Sequence, residues 1–219
     1  MSNYKKVLKN IWHFIWEDDS IWSWIVNVAL AFILIKFIVY PSLGFMLKTT
    51  HPVVAVVSES MEHDGSFNTW WENANPWYLN NGITKEQFIK FPMKNGFNKG
   101  DIMVLKGKKI EEVKVGDIIV FWSAKRDPII HRVVKKWEES NKFYFQTKGD
   151  NYRTNPSSIH STQIEEGKVV VTLDETKISQ EQYVGNAIIK IPFLGYIKIW
   201  FVSLLNYIKI GYIKLFNLG

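Results

Sequence analysis

Two residues in this chain combine hydrolytic chemistry with surroundings suited to it. Ser60 lies in Val56-Val57-Ser58-Glu59-Ser60-Met61-Glu62, a short step beyond a long apolar segment, and His131 sits on the apolar run Pro128-Ile129-Ile130-His131-Arg132-Val133-Val134. A serine hydroxyl is a weak nucleophile until a base takes its proton. Of the five histidines, His13 precedes the apolar segment and His51 directly follows it. His63 is three residues from Ser60, where local geometry disfavours a productive bond, and His160 lies in a polar, Ser-rich stretch. His131 alone is embedded in a strand-like run that a fold could hold fixed. A histidine there is ordinarily a satisfied core residue. Its pairing with the serine motif, and the order of both after the apolar segment, point to a membrane-anchored serine hydrolase.

Such chemistry needs a third group to orient the imidazole and stabilise its cation. Thr147-Lys148-Gly149-Asp150-Asn151 ends a strand with a carboxylate at a turn, which makes Asp150 the candidate; its bland alternative is a turn aspartate capping local amides. The developing oxyanion needs donors. The Ser60 backbone N–H and the Ser58 hydroxyl are the candidates, with Ser58 as strand punctuation the alternative.

The elements that must position these groups begin with a membrane anchor. Residues 21–47 read IWSWIVNVALAFILIKFIVYPSLGFML, with Lys36 the one charge. About 20 apolar residues suffice to cross the hydrocarbon core. The run is too long and too aromatic for a cleaved leader, so it is read as a retained anchor whose Lys36 snorkels to the nearer interface. Lys5, Lys6 and Lys9 precede it, which places residues 1–20 in the cytoplasm and residues 48–186 outside it. Residues 187–219 are apolar but punctuated by Lys190, Lys198, Lys209 and Lys214. They are expected to form a membrane-associated segment, either an interfacial amphipathic helix or a tilted second span.

Between these ends the chain is expected to fold as a mainly β catalytic domain. Strand-like runs fall at 101–105, 117–122, 129–136, 142–148 and 168–173. The one helix signal is the capping pattern Thr84-Lys85-Glu86-Gln87, stopped by Pro92, so no long internal helix is expected. Residues 64–96, rich in Asn, Trp and Gly without a clear period, read as an insertion or loop. Its Trp70, Trp71, Trp77 and Tyr78 are expected either to dip into the membrane interface or to pack against the sheet.

Composition narrows the classes further. With 219 residues, 47% of them apolar, the chain can build one core and still commit segments to a membrane. Its 27 basic residues against 21 acidic are scattered rather than striped, which speaks against nucleic acid and for the headgroups of a lipid bilayer. Cysteine is absent, which excludes disulfides, zinc–thiolate sites and a thiol nucleophile. No convincing metal or nucleotide site is evident, and the chemistry requires no cofactor.

Taken jointly, Ser58-Glu59-Ser60-Met61-Glu62, the Gly-Asp pairs at 100–101 and 116–117, Ile129-Ile130-His131-Arg132-Val133 and Lys148-Gly149-Asp150-Asn151 resemble the successive motifs of type I signal peptidases. The likeness is to the archaeal and endoplasmic-reticulum branch, in which histidine replaces the lysine base. Gly185-Asn186-Ala187 through Ile191-Pro192-Phe193-Leu194-Gly195 resembles the closing motif of that branch. The resemblance implies a signal-peptidase-like β fold and a serine endopeptidase of the cell membrane, its catalytic domain extracytoplasmic. It further implies removal of signal peptides from exported preproteins after small residues. Ser60 would be nucleophile, His131 base and then acid, Asp150 the orienting carboxylate. Three departures stand out: Glu59 where the family has glycine, His63-Asp64 where it tends to have Pro-Thr, and Asn155-Pro156 where it carries a second aspartate. Asp150 would then act alone, or Asn155 would serve as a neutral partner, or Asp174 would fold back to supply the charge. A non-catalytic, membrane-tethered β-domain binding exported chains or partner subunits is the alternative; a lysine-based protease is weaker, because the base position holds His131.

Overall fold

Residues 21–47 are predominantly apolar, and in an apolar medium helix is the conformation in which such a single segment satisfies its own polar groups; they are helical throughout. The computed structural model describes residues 3–124, 127–165, 168–197, 199–203 and 207. The chain divides into two compact units, residues 1–46 and 47–219.

In the first unit, α1 (Asn3–Trp16) precedes α2 (Ile21–Leu34), a π turn (Ile35–Val39) and α3 (Tyr40–Leu47). Ser20 caps α2 by accepting from the Ser23 N–H at 3.2 Å, and Asn27 Nδ2 donates to the Ile15 carbonyl at 2.8 Å, tying the first two helices together. The π turn has a local cause: Pro41 has no N–H for the Phe37 carbonyl and its ring crowds that carbonyl, so the helix widens just before it. Lys36 Nζ rests 5.7 Å and 5.4 Å from the ring centres of Phe32 and Phe37. The helix over Ile21–Leu47 is long and apolar enough to cross a bilayer.

The second unit is mostly β. β1 (Val53–Ala55), β2 (Ile102–Lys106), β3 (Ile118–Phe121), β4 (Ile129–Glu139), β5 (Lys142–Lys148), β8 (Ile178–Ser179) and β9 (Tyr183–Ile191) form one antiparallel sheet in the order β1-β2-β9-β3-β4-β5-β8. A separate hairpin pairs β6 (His160–Glu165) with β7 (Lys168–Asp174). Strand alternation splits β3 between two cores. Ile118 and Val120 pack with Val56, Met61, Phe97, Met103 and Leu105, while Ile119 and Phe121 pack with Val133, Phe145, Leu173 and Ile178.

Two expectations need correction. The boundary at 186 falls inside β9, which inserts between β2 and β3 and carries the sheet to Ile191; Ala187 is buried there, while Ile188, Ile189 and Ile191 are exposed. Beyond it, residues 196–197 and 199–203 are helical, and most of the expected C-terminal membrane segment lies outside the described residues. Residues 64–96 are no loop. They contain α4 (Phe67–Asn80) and the short α5 (Lys85–Phe88), the latter opened by the expected Thr84–Gln87 capping box.

Ser66 caps α4, accepting from the Thr69 N–H at 3.3 Å. Pro76 sits inside this helix and cannot serve the Glu72 carbonyl, which accepts from Asn75 Nδ2 at 3.0 Å instead. Trp70, Trp71, Ala74 and Tyr78 recur at helical spacing and are buried together with Ile83, Phe88 and Val134. Trp70 and Tyr78 are fully enclosed by the domain, so their rings fill its own core rather than reaching for a membrane. Truncating a buried Trp of this kind to Ala costs about 3–5 kcal/mol.

Candidate active site

The segment after β1 carries Ser60, held from two sides. Met61 inserts into the core at 1% exposure, which anchors the residue next to the serine. Across from it, the turn after β5 grips the backbone: Asn151 N–H donates to the Ser60 carbonyl at 2.9 Å, and Asn151 Nδ2 to the Glu59 carbonyl at 2.9 Å. Gly149 permits this approach, because a Cβ there would lie 2.6 Å from the Ser60 carbonyl oxygen. Glu59 has ordinary backbone angles and an exposed side chain, so the loop accommodates it where the resembled motif has glycine.

His131 projects from β4 and is nearly buried. Its Nε2 lies 2.8 Å from Ser60 Oγ, and its Nδ1 makes a very short contact with Glu175 Oε1. A carboxylate on Nδ1 fixes the proton there and leaves Nε2 to accept from the serine. Ser58 Oγ lies 3.1 Å from Ser60 Oγ, so a second hydroxyl and the Ser60 N–H stand beside the Ser60 hydroxyl.

The carboxylate on His131 is thus Glu175, which the sequence reading missed. Glu175 is fully buried; its Oε1 also accepts from Thr147 Oγ1 at 2.9 Å and its Oε2 from the Ile159 N–H at 2.9 Å. Asp174, weighed as a substitute, is the neighbour on the wrong side. Where β7 ends, successive side chains point to opposite faces, and Asp174 bonds Thr176 and His160 instead. Asn155 is no partner either: its Oδ1 accepts from Thr154 Oγ1 at 3.0 Å. A carboxylate directly after an apolar strand was the available signal, one residue further on.

Asp150 does different work. Its carboxylate binds Arg132 through Nε at 2.9 Å and Nη2 at 2.6 Å, His63 Nε2 at 3.2 Å and the Tyr78 hydroxyl at 2.9 Å, all out of solvent. Arg132 spends its other donors on the carbonyls of Pro92, Gly116 and Met93, so every guanidinium N–H is satisfied. Burial alone would raise the Asp150 pKa, but the Arg132 charge and the bonds from His63 and Arg132 outweigh it and hold the carboxyl well below the usual range. Trp70 Nε1 caps the Asp150 carbonyl at 2.9 Å, and its ring stacks on His63 at 3.7 Å. The helical insertion therefore braces the turn that grips Ser60. Lys148, the last residue of β5, is buried beneath Trp77 and Tyr78 with Nζ on the Gly149 carbonyl at 2.7 Å; burial lowers its pKa to about 8.

Ser60 and His131 open onto a cleft of about 550 Å3 between residues 55–60 and 127–131, floored by Asn155, Ile159 and Leu173. Both rims offer free backbone. The Val56 N–H and C=O are bonded to residues 101 and 100, so alternation turns Ala55 and Val57 outward. β4 pairs with β5 only from Arg132 onward, while Val133 bonds residues 116 and 117 on the β3 side; Ile130 therefore faces the cleft. The arrangement can receive an extended peptide and attack its carbonyl.

No family model matches the chain. It is 29% identical over 109 residues to the signal peptidase complex catalytic subunit SEC11 of Pyricularia oryzae and 31% identical over 109 residues to that of Sclerotinia sclerotiorum. Each match covers 49% of this chain and 57% of the relative, so the chain spans a little over half the length of these relatives. The SEC11 subunit of Scheffersomyces stipitis is 26% identical over 175 residues, covering 78% of this chain and 79% of that protein.

Proposed function

We propose that this chain is a membrane-tethered serine endopeptidase that removes signal peptides from exported preproteins after small residues. The observation that carries the reading is the line Ser60–His131–Glu175 opening onto a cleft with free backbone on both rims. A substrate strand adds to those rims, which presents its scissile carbonyl to Ser60. His131 Nε2 takes the hydroxyl proton as Oγ attacks, and Glu175 stabilises the imidazolium that results. The Ser58 hydroxyl and Ser60 N–H bind the oxyanion. The imidazolium gives its proton to the leaving amine; water, activated by the same histidine, then frees the enzyme.

In this reading Asp150 holds the serine loop through Arg132, Tyr78 and the Asn151 turn, and takes no part in proton transfer. His131 at the base position aligns the chain with the histidine-using branch of these peptidases. Lys5, Lys6 and Lys9 before the apolar helix favour a cytoplasmic N-terminus, which sets the catalytic domain outside the cytoplasm, at the cell membrane. Sharing a bilayer with membrane-inserted preproteins raises their effective concentration.

The relatives are named as subunits of a complex, so the test covers membranes as well as detergent. Purified preprotein is incubated with wild type, Ser60→Ala and His131→Ala. A single cut after a small residue, absent in both variants, is the expected result. Folded wild type that cuts in neither setting would overturn the reading in favour of a binding domain.

A further inference from the structure

The chain leaving the apolar helix is stapled to a lysine-rich loop. Gly107 N–H donates to the carbonyl of Leu47, the last residue of α3, at 2.8 Å. A Cβ at Gly107 would lie 1.9 Å from the Lys48 carbonyl oxygen, so these two backbones can meet only at glycine. Thr49 Oγ1 donates to the Val184 carbonyl at 2.9 Å and ties the same segment to β9. The loop after β2 is therefore fixed beside the end of the apolar run, whatever direction that run takes.

In a helix that crosses the bilayer, that end falls at headgroup depth. The 27 residues of Ile21–Leu47 rise about 40 Å at about 1.5 Å each, against about 30 Å of hydrocarbon. Phe45 and Met46 are exposed and apolar, and Lys48 is the first charge after them.

Lys48, Lys106 and Lys109 line a cavity of about 890 Å3 together with the half-exposed Trp122. Two further charges of the wall are already neutralised, Lys108 by Asp117 at 3.0 Å and Glu181 by Lys142 at 3.1 Å. Among the described residues Lys48, Lys106 and Lys109 have no ion-pair partner, against one carboxylate of the wall, Glu112, that also has none. Aromatic rings such as Trp122 favour the headgroup zone.

We propose that this cavity binds the phosphate headgroup of an anionic phospholipid through Lys48, Lys106 and Lys109. The lipid turns one chosen face of the 47–219 unit toward the bilayer. Free inorganic phosphate offers the same chemistry, but a site stapled to the end of a membrane helix meets headgroups at far higher local concentration.

The test uses the full chain in non-ionic detergent, with bound phosphatidylglycerol counted by native mass spectrometry. Wild type is compared with Lys48→Gln/Lys106→Gln/Lys109→Gln and with Lys90→Gln/Lys94→Gln/Lys114→Gln, which removes the same charge elsewhere. The first variant is expected to lose affinity on the order of a hundredfold and the second to match wild type. Should the triple variant fail to fold, Lys106→Gln/Lys109→Gln carries the test, with about a thirtyfold loss. Equal losses in both triple variants, or phosphatidylcholine held as tightly as phosphatidylglycerol, would overturn the site. Excess sodium phosphate that displaces the lipid and is itself retained would reassign the ligand to the free ion.

Discussion

Glu175 accepts the Nδ1–H of His131 from 44 residues further along the chain, and no part of it reaches solvent. The same Oε1 takes the Thr147 hydroxyl, so the carboxylate is aimed from both sides and cannot rotate away from the imidazole. For Glu175→Gln the expected outcome is a fall in kcat of about 10²–10⁴ with a folded domain, since a neutral amide stabilises the imidazolium far less. Preprotein cleavage rates beside a circular-dichroism spectrum check this; near wild-type turnover would remove Glu175 from the relay.

Asp150→Asn should act on stability instead. It leaves Arg132 buried beside a neutral partner, a loss of about 3–5 kcal/mol. Because the folded carboxyl titrates below its ordinary value of 3.8, its contribution is present above that pH and is lost as pH falls further. Denaturant melts between neutrality and pH 3 should therefore show wild type weakening in acid more steeply than the variant. Parallel curves would contradict the ion pair.

Gly149→Ala places a methyl 2.6 Å from the Ser60 carbonyl, and backbone must move to admit it. A displacement near 1 Å at the nucleophile costs about a hundredfold in rate. The loss should fall mainly on kcat, with a smaller rise in KM, because the methyl also comes within 2.8 Å of Asn155 on the cleft floor. Steady-state kinetics separate the two.

Lys148 is driven by burial to about 8, whereas the unfolded side chain titrates at 10.5. Between those values the unfolded chain binds more protons, so the Lys148 contribution to stability rises with pH by about 3 kcal/mol at most. In Lys148→Met that increment disappears. The quantity to measure is the difference between wild-type and variant unfolding free energies from pH 7.5 to 10.5; a flat difference would show the amine to be solvated.

What the sequence determined by itself was local and periodic. The apolar run over residues 21–47, five strands and the Thr84–Gln87 cap are written in neighbouring residue types, and Ser60 and His131 stood out because each lies on such an element. The helical spacing of Trp70, Trp71, Ala74 and Tyr78 was not read from the sequence, because the Asn and Pro residues between them masked it. Tertiary structure decided which carboxylate meets which cation. Asp150, Asp174 and Glu175 are equivalent as acids, and only the exit direction of β7 and the burial of Arg132 pair them with Arg132, His160 and His131 respectively. The placement of β9 between β2 and β3 is likewise a matter of long-range pairing. Periodicity records which face of an element is apolar; it holds no record of the element lying opposite.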